Sequence, residues 1–203
     1  MGFTCGKCDK RNVRYIITDD LMLFKFNSIA SLAGKDPDNY RISINEINGK
    51  TTLVTYTTSE SDKIENTMLW SLHINDGINL GHFRLVYESN LSEIEGLQIR
   101  SLNIFEYVKG AKIEGFASPY EIIRAQINVT SNRNRTFTYH NEAMANETGW
   151  YQINVPYSSD GTTTKISDSY TIIGLNSQVL KNVSISENDV INGINIRIDL
   201  NSE

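Results

Sequence analysis

The residues of this chain that could do chemistry are few, and each points to a different kind of work. Cys5 and Cys8, the only cysteines, are spaced C-x-x-C. Such a pair is half of a zinc site, and no second pair completes it. The spacing leaves three readings open: an inert or disulfide-linked pair, a partial metal site, or redox work. A redox motif of the thioredoxin kind needs a helix starting at the first cysteine, and "CGKCDKRNV" runs into a strand pattern instead. Gly49-Lys50-Thr51 resembles the end of a phosphate-binding loop. The earlier glycine of that motif is replaced by Ile44, and the triplet sits in a hairpin pattern, so nucleotide binding is not expected. Asp36 and Asp38 could touch a cation, but Pro37 and Tyr40 break any EF-hand spacing and a solvated loop is expected. Neither G-x-S-x-G nor H-E-x-x-H occurs. There remains Lys25, in the middle of the apolar run "DDLMLFKFNSIASLAGKD" from Asp19 to Asp36. On a helix, Asp19, Met22, Lys25 and Ile29 share one arc, with Phe26, Ala30 and Ala33 on or beside it. The plain reading puts Met22 and Ile29 in the core and lets Lys25 bury its stem while its ammonium stays wet. The other reading makes this edge a recognition surface.

The elements that must position these residues follow from the pattern. "VRYIITD" reads as a short buried strand. The run from Asp19 then reads as one helix, capped by Thr18 or Asp19, ended at Gly34 and barred from resuming by Pro37. "YRISINEI" and "TTLVTYTT" flank Asn48-Gly49, a strong hairpin signal. "NTMLWSLHINDG" reads as a second helix, capped by Asn66 or Thr67 and stopped by Gly77, and "HFRLVYES" and "LQIRSLNIFEYV" read as strands. From Lys109 onward every segment reads as strand, spaced by glycine, asparagine and serine turns, which predicts a β-sandwich. The expected fold is therefore α+β, with a mixed domain over 1–109 and an all-β, sandwich-like domain over 110–203.

Composition bounds the partners. A net charge of −5 argues against nucleic acid, which requires a basic face. No apolar run is long enough to span a bilayer, and "MGFTCGKCDKRN" lacks the apolar stretch of a signal peptide. The sequence as it stands is expected to be soluble. Five Asn-x-Ser/Thr triplets begin at Asn90, Asn128, Asn134, Asn146 and Asn182. They give weak support for export, since a chain this rich in Asn, Ser and Thr also produces them by chance.

Asp19-x-x-Met22-x-x-Lys25-x-x-x-Ile29, directly after "VRYIIT", resembles a short motif of AglB, the catalytic subunit of archaeal oligosaccharyltransferase. "FNSIASLAGKD", "HFRLVYES" and "LNIFEYVKGAKIEG" fit the same family in order. "GWYQINVPYS" looks like the peripheral β-domain of some members, and like prealbumin-type sandwiches more generally. The resemblance implies the soluble part of an enzyme that moves a lipid-linked oligosaccharide to the asparagine of Asn-x-Ser/Thr. It implies that Asp19, Met22, Lys25 and Ile29 help hold the Ser or Thr of that triplet. Met22 and Ile29 would offer apolar surface to a threonine methyl, worth about 1 kcal/mol over serine. Asp19 and Lys25 would orient polar groups around the hydroxyl.

One departure is marked. The family's W-W-D-Y-G motif does not occur, since the only tryptophans are Trp70 and Trp150. The resemblance places a divalent metal (Mg or Mn), the lipid-linked oligosaccharide and the membrane contact on a membrane domain outside this sequence. No cofactor and no catalytic residue are expected on this chain, which alone should transfer nothing. In a parent protein it would lie on the extracytoplasmic face. The competing expectation is a surface binding or adhesion module built on the sandwich, with no enzymatic part.

Overall fold

The computed structural model of the protein describes residues 13–57, 62–160, 165–166 and 169–200. Cys5 and Cys8 lie outside the described residues. The chain forms two compact units. One comprises Ile17–Asp76 and Tyr87–Ile104; the other takes Gly77–Val86, the chain from Phe105 onward and the stretch ending at Ile16. The architecture is α+β, rich in strand with a few short helices.

In the first unit, the end of β1 (Tyr15–Asp19) leads into α1 (Asp20–Phe24) and α2 (Phe26–Leu32). The expected single helix is two, broken at Lys25, whose backbone sits at φ −98°, ψ 0°. The Lys25 carbonyl accepts from both Ser28 N–H (3.1 Å) and Ile29 N–H (3.3 Å), while Asn27 Oδ1 takes a bond from Ser28 N–H at 2.8 Å. A side chain that bonds its neighbour's backbone competes with the regular ladder, and here it tightens the turn. The C-terminus is as expected. Gly34 has φ +74°, its N–H reaches Ser31 O, and Lys35 N–H reaches Ala30 O at 2.9 Å. That pair of bonds closes the helix in a Schellman turn before Pro37.

A 3₁₀ turn over Pro37–Tyr40 follows, with the Asp36 side chain accepting from Asp38 N–H at 3.1 Å. Asp36 therefore caps a turn. β2 (Arg41–Ile47) and β3 (Lys50–Tyr56) pair in register from Arg41↔Tyr56 to Ile47↔Lys50. Asn48 (φ 53°) and Gly49 (φ 74°) make the two-residue turn, because both positions need positive φ. The Gly-Lys-Thr triplet is thus part of a hairpin. α3 (Met68–His73) starts at Thr67, whose hydroxyl accepts from Trp70 N–H. β5 (Leu91–Ile94) and β6 (Leu97–Arg100) form a second hairpin. Ala30, Tyr40 and Ile64 make a small core joined by Phe26, Ile42 and Trp70.

β4 (Phe83–Glu88) and β7 (Leu102–Tyr107) form a three-stranded sheet with β1, in the order β1-β7-β4. β1 is an edge strand. Tyr15 and Ile17 are about half exposed, so the expectation of a buried strand fails for one of its faces. Alternation still holds, with Thr18 turned inward and buried.

The second unit carries two further sheets. β8 (Ala111–Phe116), β11 (Trp150–Val155) and β15 (Asn195–Arg197) form one, in the order β11-β8-β15. β9 (Ile122–Thr130), β10 (Thr136–Met144), β12 (Lys165–Ile166), β13 (Tyr170–Gly174) and β14 (Leu180–Val183) form the other, in the order β10-β9-β13-β14 with β12 also on β9. Alternate residues such as Ile113, Ile153, Ile123, Val129 and Ile172 build one core from both sheets. This is the sandwich the spacing predicts. Four tyrosines, Tyr139, Tyr151, Tyr157 and Tyr170, are fully buried in it. The Tyr157 hydroxyl accepts from Leu85 N–H at 2.8 Å and the Tyr170 hydroxyl from Tyr157 N–H at 3.2 Å, so aromatic bulk and polar anchor serve together.

The segment is not purely strand. α4 (Glu187–Asn192) follows a capping box of Ser186 and Asp189 and ends on Gly193 at φ +68°. Six residues with one buried apolar position, Val190, carry too little periodicity to be read as a helix. The strongest packing constraint is at Gly115 on β8. A Cβ there would overlap the Ile198 carbonyl oxygen where the chain after β15 bonds back to Glu114 and Phe116. We expect Gly115→Ala to destabilise the fold by about 1–3 kcal/mol, read as a lower urea midpoint, while Gly34→Ala, which has open space, is limited to its backbone strain.

Candidate functional site

The site is the end of β1 and the two helices that leave it. Asp19 finishes the strand and caps α1, with its Oδ1 accepting from Met22 N–H at 2.8 Å. Asp19 is half-buried and engaged, so it fixes the helix start. Its neighbours are held from both sides. Asp20, nearly buried, donates its N–H to Ser101 O and accepts from the Ser92 hydroxyl at 3.2 Å. Thr18 bonds His73 Nδ1 at 3.0 Å, and His73 Nε2 lies 2.9 Å from Arg100 O. A carbonyl only accepts, so Nε2 carries the proton and Nδ1 accepts from the Thr18 hydroxyl.

Past this anchor the side chains divide cleanly. Leu23 and Ala30 are buried, and Phe26 stacks obliquely on Tyr40 with ring centroids 5.7 Å apart. Met22 is 39 % exposed, Ile29 is 47 % exposed, and Lys25 is exposed. The expectation that Met22 and Ile29 are core residues is therefore overturned; the apolar face that packs inward is Leu23, Phe26 and Ala30. Leu21 (55 %), Ile17 (54 %) and Leu32 (91 %) add to the uncovered apolar surface. A shallow cleft of about 430 Å³ runs along α2, lined by Asn27, Ser28, Ser31, Leu32 and Pro37. Asp19, Met22, Lys25 and Ile29 do not line that cleft.

Sequence reasoning missed the supports of this site. Besides the Thr18–His73–Arg100 chain, Glu88 is almost fully buried and paired with Arg100. Their partners lie far apart in sequence, so no local pattern marks them. His73 supplies a pH prediction. Burial pulls its pKa below the ordinary value, against the opposing bond to Arg100 and the charges of Asp20 and Asp19. A base with a depressed folded pKa lends full stability above its unfolded value of about 6.5 and loses it as pH falls below that. We expect stability to drop as pH falls below about 6.5, by at most about 1.4 kcal/mol per pH unit, in thermal unfolding. His73→Asn should flatten that step.

Among the described residues no three His, Cys, Asp or Glu side chains gather as a metal centre. No described helix is long and apolar enough to cross a membrane.

Residues 110–196 match the family model of the archaeal glycosylation protein B long peripheral domain. No curated protein matches the chain. The fold of nearly the whole chain recurs in solved AglB structures. AglB from Archaeoglobus fulgidus, in complex with an inhibitory peptide and a dolichol-phosphate, superposes with a TM-score of 0.77 at 22 % identity, covering 97 % of this chain and 31 % of its own. The A. fulgidus oligosaccharyltransferase tethered to an acceptor peptide containing the NVT sequon gives 0.76 at 23 % identity, over 95 % of this chain and 32 % of its own. The same enzyme with Zn and sulfate gives 0.74 at 22 % identity, over 95 % and 34 %. This chain thus spans about a third of the length of the structures it matches. The AglB fold extends to the unit that bears Asp19, Met22, Lys25 and Ile29.

Proposed function

We propose that this chain is the extracytoplasmic part of an oligosaccharyltransferase and contributes to recognition of the acceptor sequon. The reaction is transfer of a lipid-linked oligosaccharide to the asparagine of Asn-x-Ser/Thr. The observation that carries the proposal is the exposure of Met22, Lys25 and Ile29, with Leu21 and Leu32 beside them, on a helix pair that turns Leu23 and Ala30 inward. Leaving large apolar side chains uncovered forgoes about 1–2 kcal/mol each, which a bound peptide would recover. Met22 and Ile29 contact the threonine methyl. Lys25 reaches the polar rim, and Asp19 keeps the helix start in place. The sequon peptide in the A. fulgidus relative supports the reading. The divalent ion, the lipid carrier and the bond-making residues belong outside these 203 residues, and this chain alone is inactive.

The test is titration of an Asn-x-Thr peptide into the chain, followed by amide chemical shifts, with Asn-x-Ala as control. The expected shifts centre on Met22 to Ile29 and are absent for Asn-x-Ala. Shifts confined to residues after Gly110 would replace this reading with a binding module built on the sandwich. No shifts at all would leave the helix edge without an acceptor role.

A further inference from the structure

Five sequons sit on this chain, and the fold separates them. Asn128 lies inside β9 with its Oδ1 taking a bond from the Thr138 hydroxyl at 2.7 Å. Asn182 lies in β14, paired to Thr171 of β13. Asn146 is exposed, but its Oδ1 accepts from Thr148 N–H (3.0 Å), the Thr148 hydroxyl (2.8 Å) and Trp150 N–H (2.9 Å). Its carbonyl and the hydroxyl two residues on are both spent within the turn. At Asn90 the hydroxyl of Ser92 is half-buried and bonded to Asp20 Oδ2 and Ile99 O, each at 3.2 Å.

Asn134 differs. It sits in the turn between β9 and β10, exposed, at φ +57°, outside both strands. Its hydroxyl partner, Thr136, is the first residue of β10, where it faces Thr130 beside the turn. The Thr136 and Thr130 hydroxyls are 3.1 Å apart and exposed, so water replaces that bond at little cost. The Arg135 guanidinium lies over the Phe137 ring at 4.6 Å, while Asn134 and Thr136 are exposed.

We infer that Asn134 is an N-glycan acceptor on the folded chain, and the preferred one among its five sequons. In the transfer, the Asn134 amide nitrogen bonds the anomeric carbon of a sugar carried on a lipid phosphate. The bond from that carbon to the phosphate oxygen breaks, its electron pair leaves with the phosphate, and the surplus amide proton passes to a base. An enzyme must pull the asparagine and the hydroxyl together into its own site. At Asn134 the short turn opens, releasing the Asn134 N–H from Ser131 O and the Ser131 N–H from Arg135 O, while the Asn134 side chain lies exposed outside both strands. At Asn146 three hydrogen bonds must open first, which lowers the competent population by roughly 100-fold. In the cell the modification rests on the extracytoplasmic placement proposed above, but the test below does not.

The folded 203-residue chain is incubated with an active oligosaccharyltransferase and its lipid-linked oligosaccharide, and analysed by intact mass and glycopeptide mapping. Synthetic peptides spanning each of the five sequons serve as references. The expected result is one glycan on the folded chain, at Asn134, with occupancy at least about tenfold above any other site after peptide normalisation. Asn134→Gln removes it, and so does Thr136→Ala, which erases the triplet while keeping Asn134. Glycan on Asn90, Asn128, Asn146 or Asn182 ahead of Asn134, no glycan on the folded chain, or an Asn134 peptide that is itself refused overturns the inference.

Discussion

Arg84→Ala lowers the unfolding free energy of this chain by about 3–5 kcal/mol at neutral pH. Arg84, on β4, has only 11 % of its side chain exposed, and Glu106, on β7, only 9 %. Its Nε and Nη2 donate to Glu106 Oε2 at 2.9 and 2.8 Å. Its Nη1 and Nη2 donate to Glu187 at 2.9 and 2.7 Å, at the start of α4. The Ser158 hydroxyl completes the Glu187 carboxylate at 2.7 Å. Removing the guanidinium leaves Glu106 buried with Arg14 as its remaining ion-pair partner among the described residues, and that side chain is 70 % exposed. An unpaired buried charge is what makes such a deletion costly. The Glu187 arm adds less, since that side chain is 41 % exposed and solvent screens it.

Chemical denaturation of the wild type and variant measures the loss. A deficit under about 1 kcal/mol would mean the pair behaves like a surface ion pair. Combining Arg84→Met with Glu106→Gln should recover much of the deficit, because the stranded charge goes with its partner. The pH dependence has a definite sign. The bonds from Arg84 hold the Glu187 carboxyl below the ordinary carboxylate range, against its partial burial. A depressed folded pKa gives stability above the unfolded value of about 4.3 and loses it as pH falls through the folded value. The gap between wild type and Arg84→Ala therefore narrows in acid, below about pH 4.

Ile29→Asp weakens binding of an Asn-x-Thr peptide by about tenfold or more and leaves the unfolding midpoint nearly unchanged. The first half rests on the recognition role proposed for this edge. Ile29 is 47 % exposed, so little of the folding energy depends on it. Contact with a threonine methyl and its neighbours would bury roughly 50 Å² of apolar area, about 1–1.5 kcal/mol, and a carboxylate there must also be desolvated. The variant should also lose the preference for Thr over Ser, a difference of about 1 kcal/mol in the wild type. Leu23→Ala provides the contrast: Leu23 is 1 % exposed, and its truncation lowers stability by about 2–5 kcal/mol. An Ile29→Asp protein that binds the peptide as wild type does would remove the helix edge from the recognition surface. One that unfolds early would place Ile29 in the core after all.

Some of this molecule is legible residue by residue. Asn48-Gly49 announces its hairpin because few residue types tolerate two successive positive φ values. Gly34 and Pro37 announce the end of α2 for the same kind of local reason. The spaced strands after Lys109 announce a sandwich because alternation reports a half-buried surface directly. Local stereochemistry and periodicity are properties of consecutive residues, and the chain carries them wherever it goes.

Other features depend on what covers what. Periodicity marks Met22 and Ile29 as apolar, but the tertiary structure assigns the buried face to Leu23, Phe26 and Ala30. At the break after Lys25, the Ser28 N–H bonds both the Lys25 carbonyl and the Asn27 side chain. β1 has the composition of a buried strand and lies at a sheet edge. The partners of Arg84 are 22 and 103 residues away, and His73 meets Thr18 across 55 residues. The same holds for the sequons: five Asn-x-Ser/Thr triplets in the sequence become five different environments, because only folding decides which asparagine has spent its hydrogen bonds. By itself the sequence determined most of the strands, the Asn48-Gly49 turn, the helix stop at Gly34 and the family likeness of the chain. The tertiary structure decided which apolar residues stay uncovered, since burial is set by contacts between segments that no local pattern encodes.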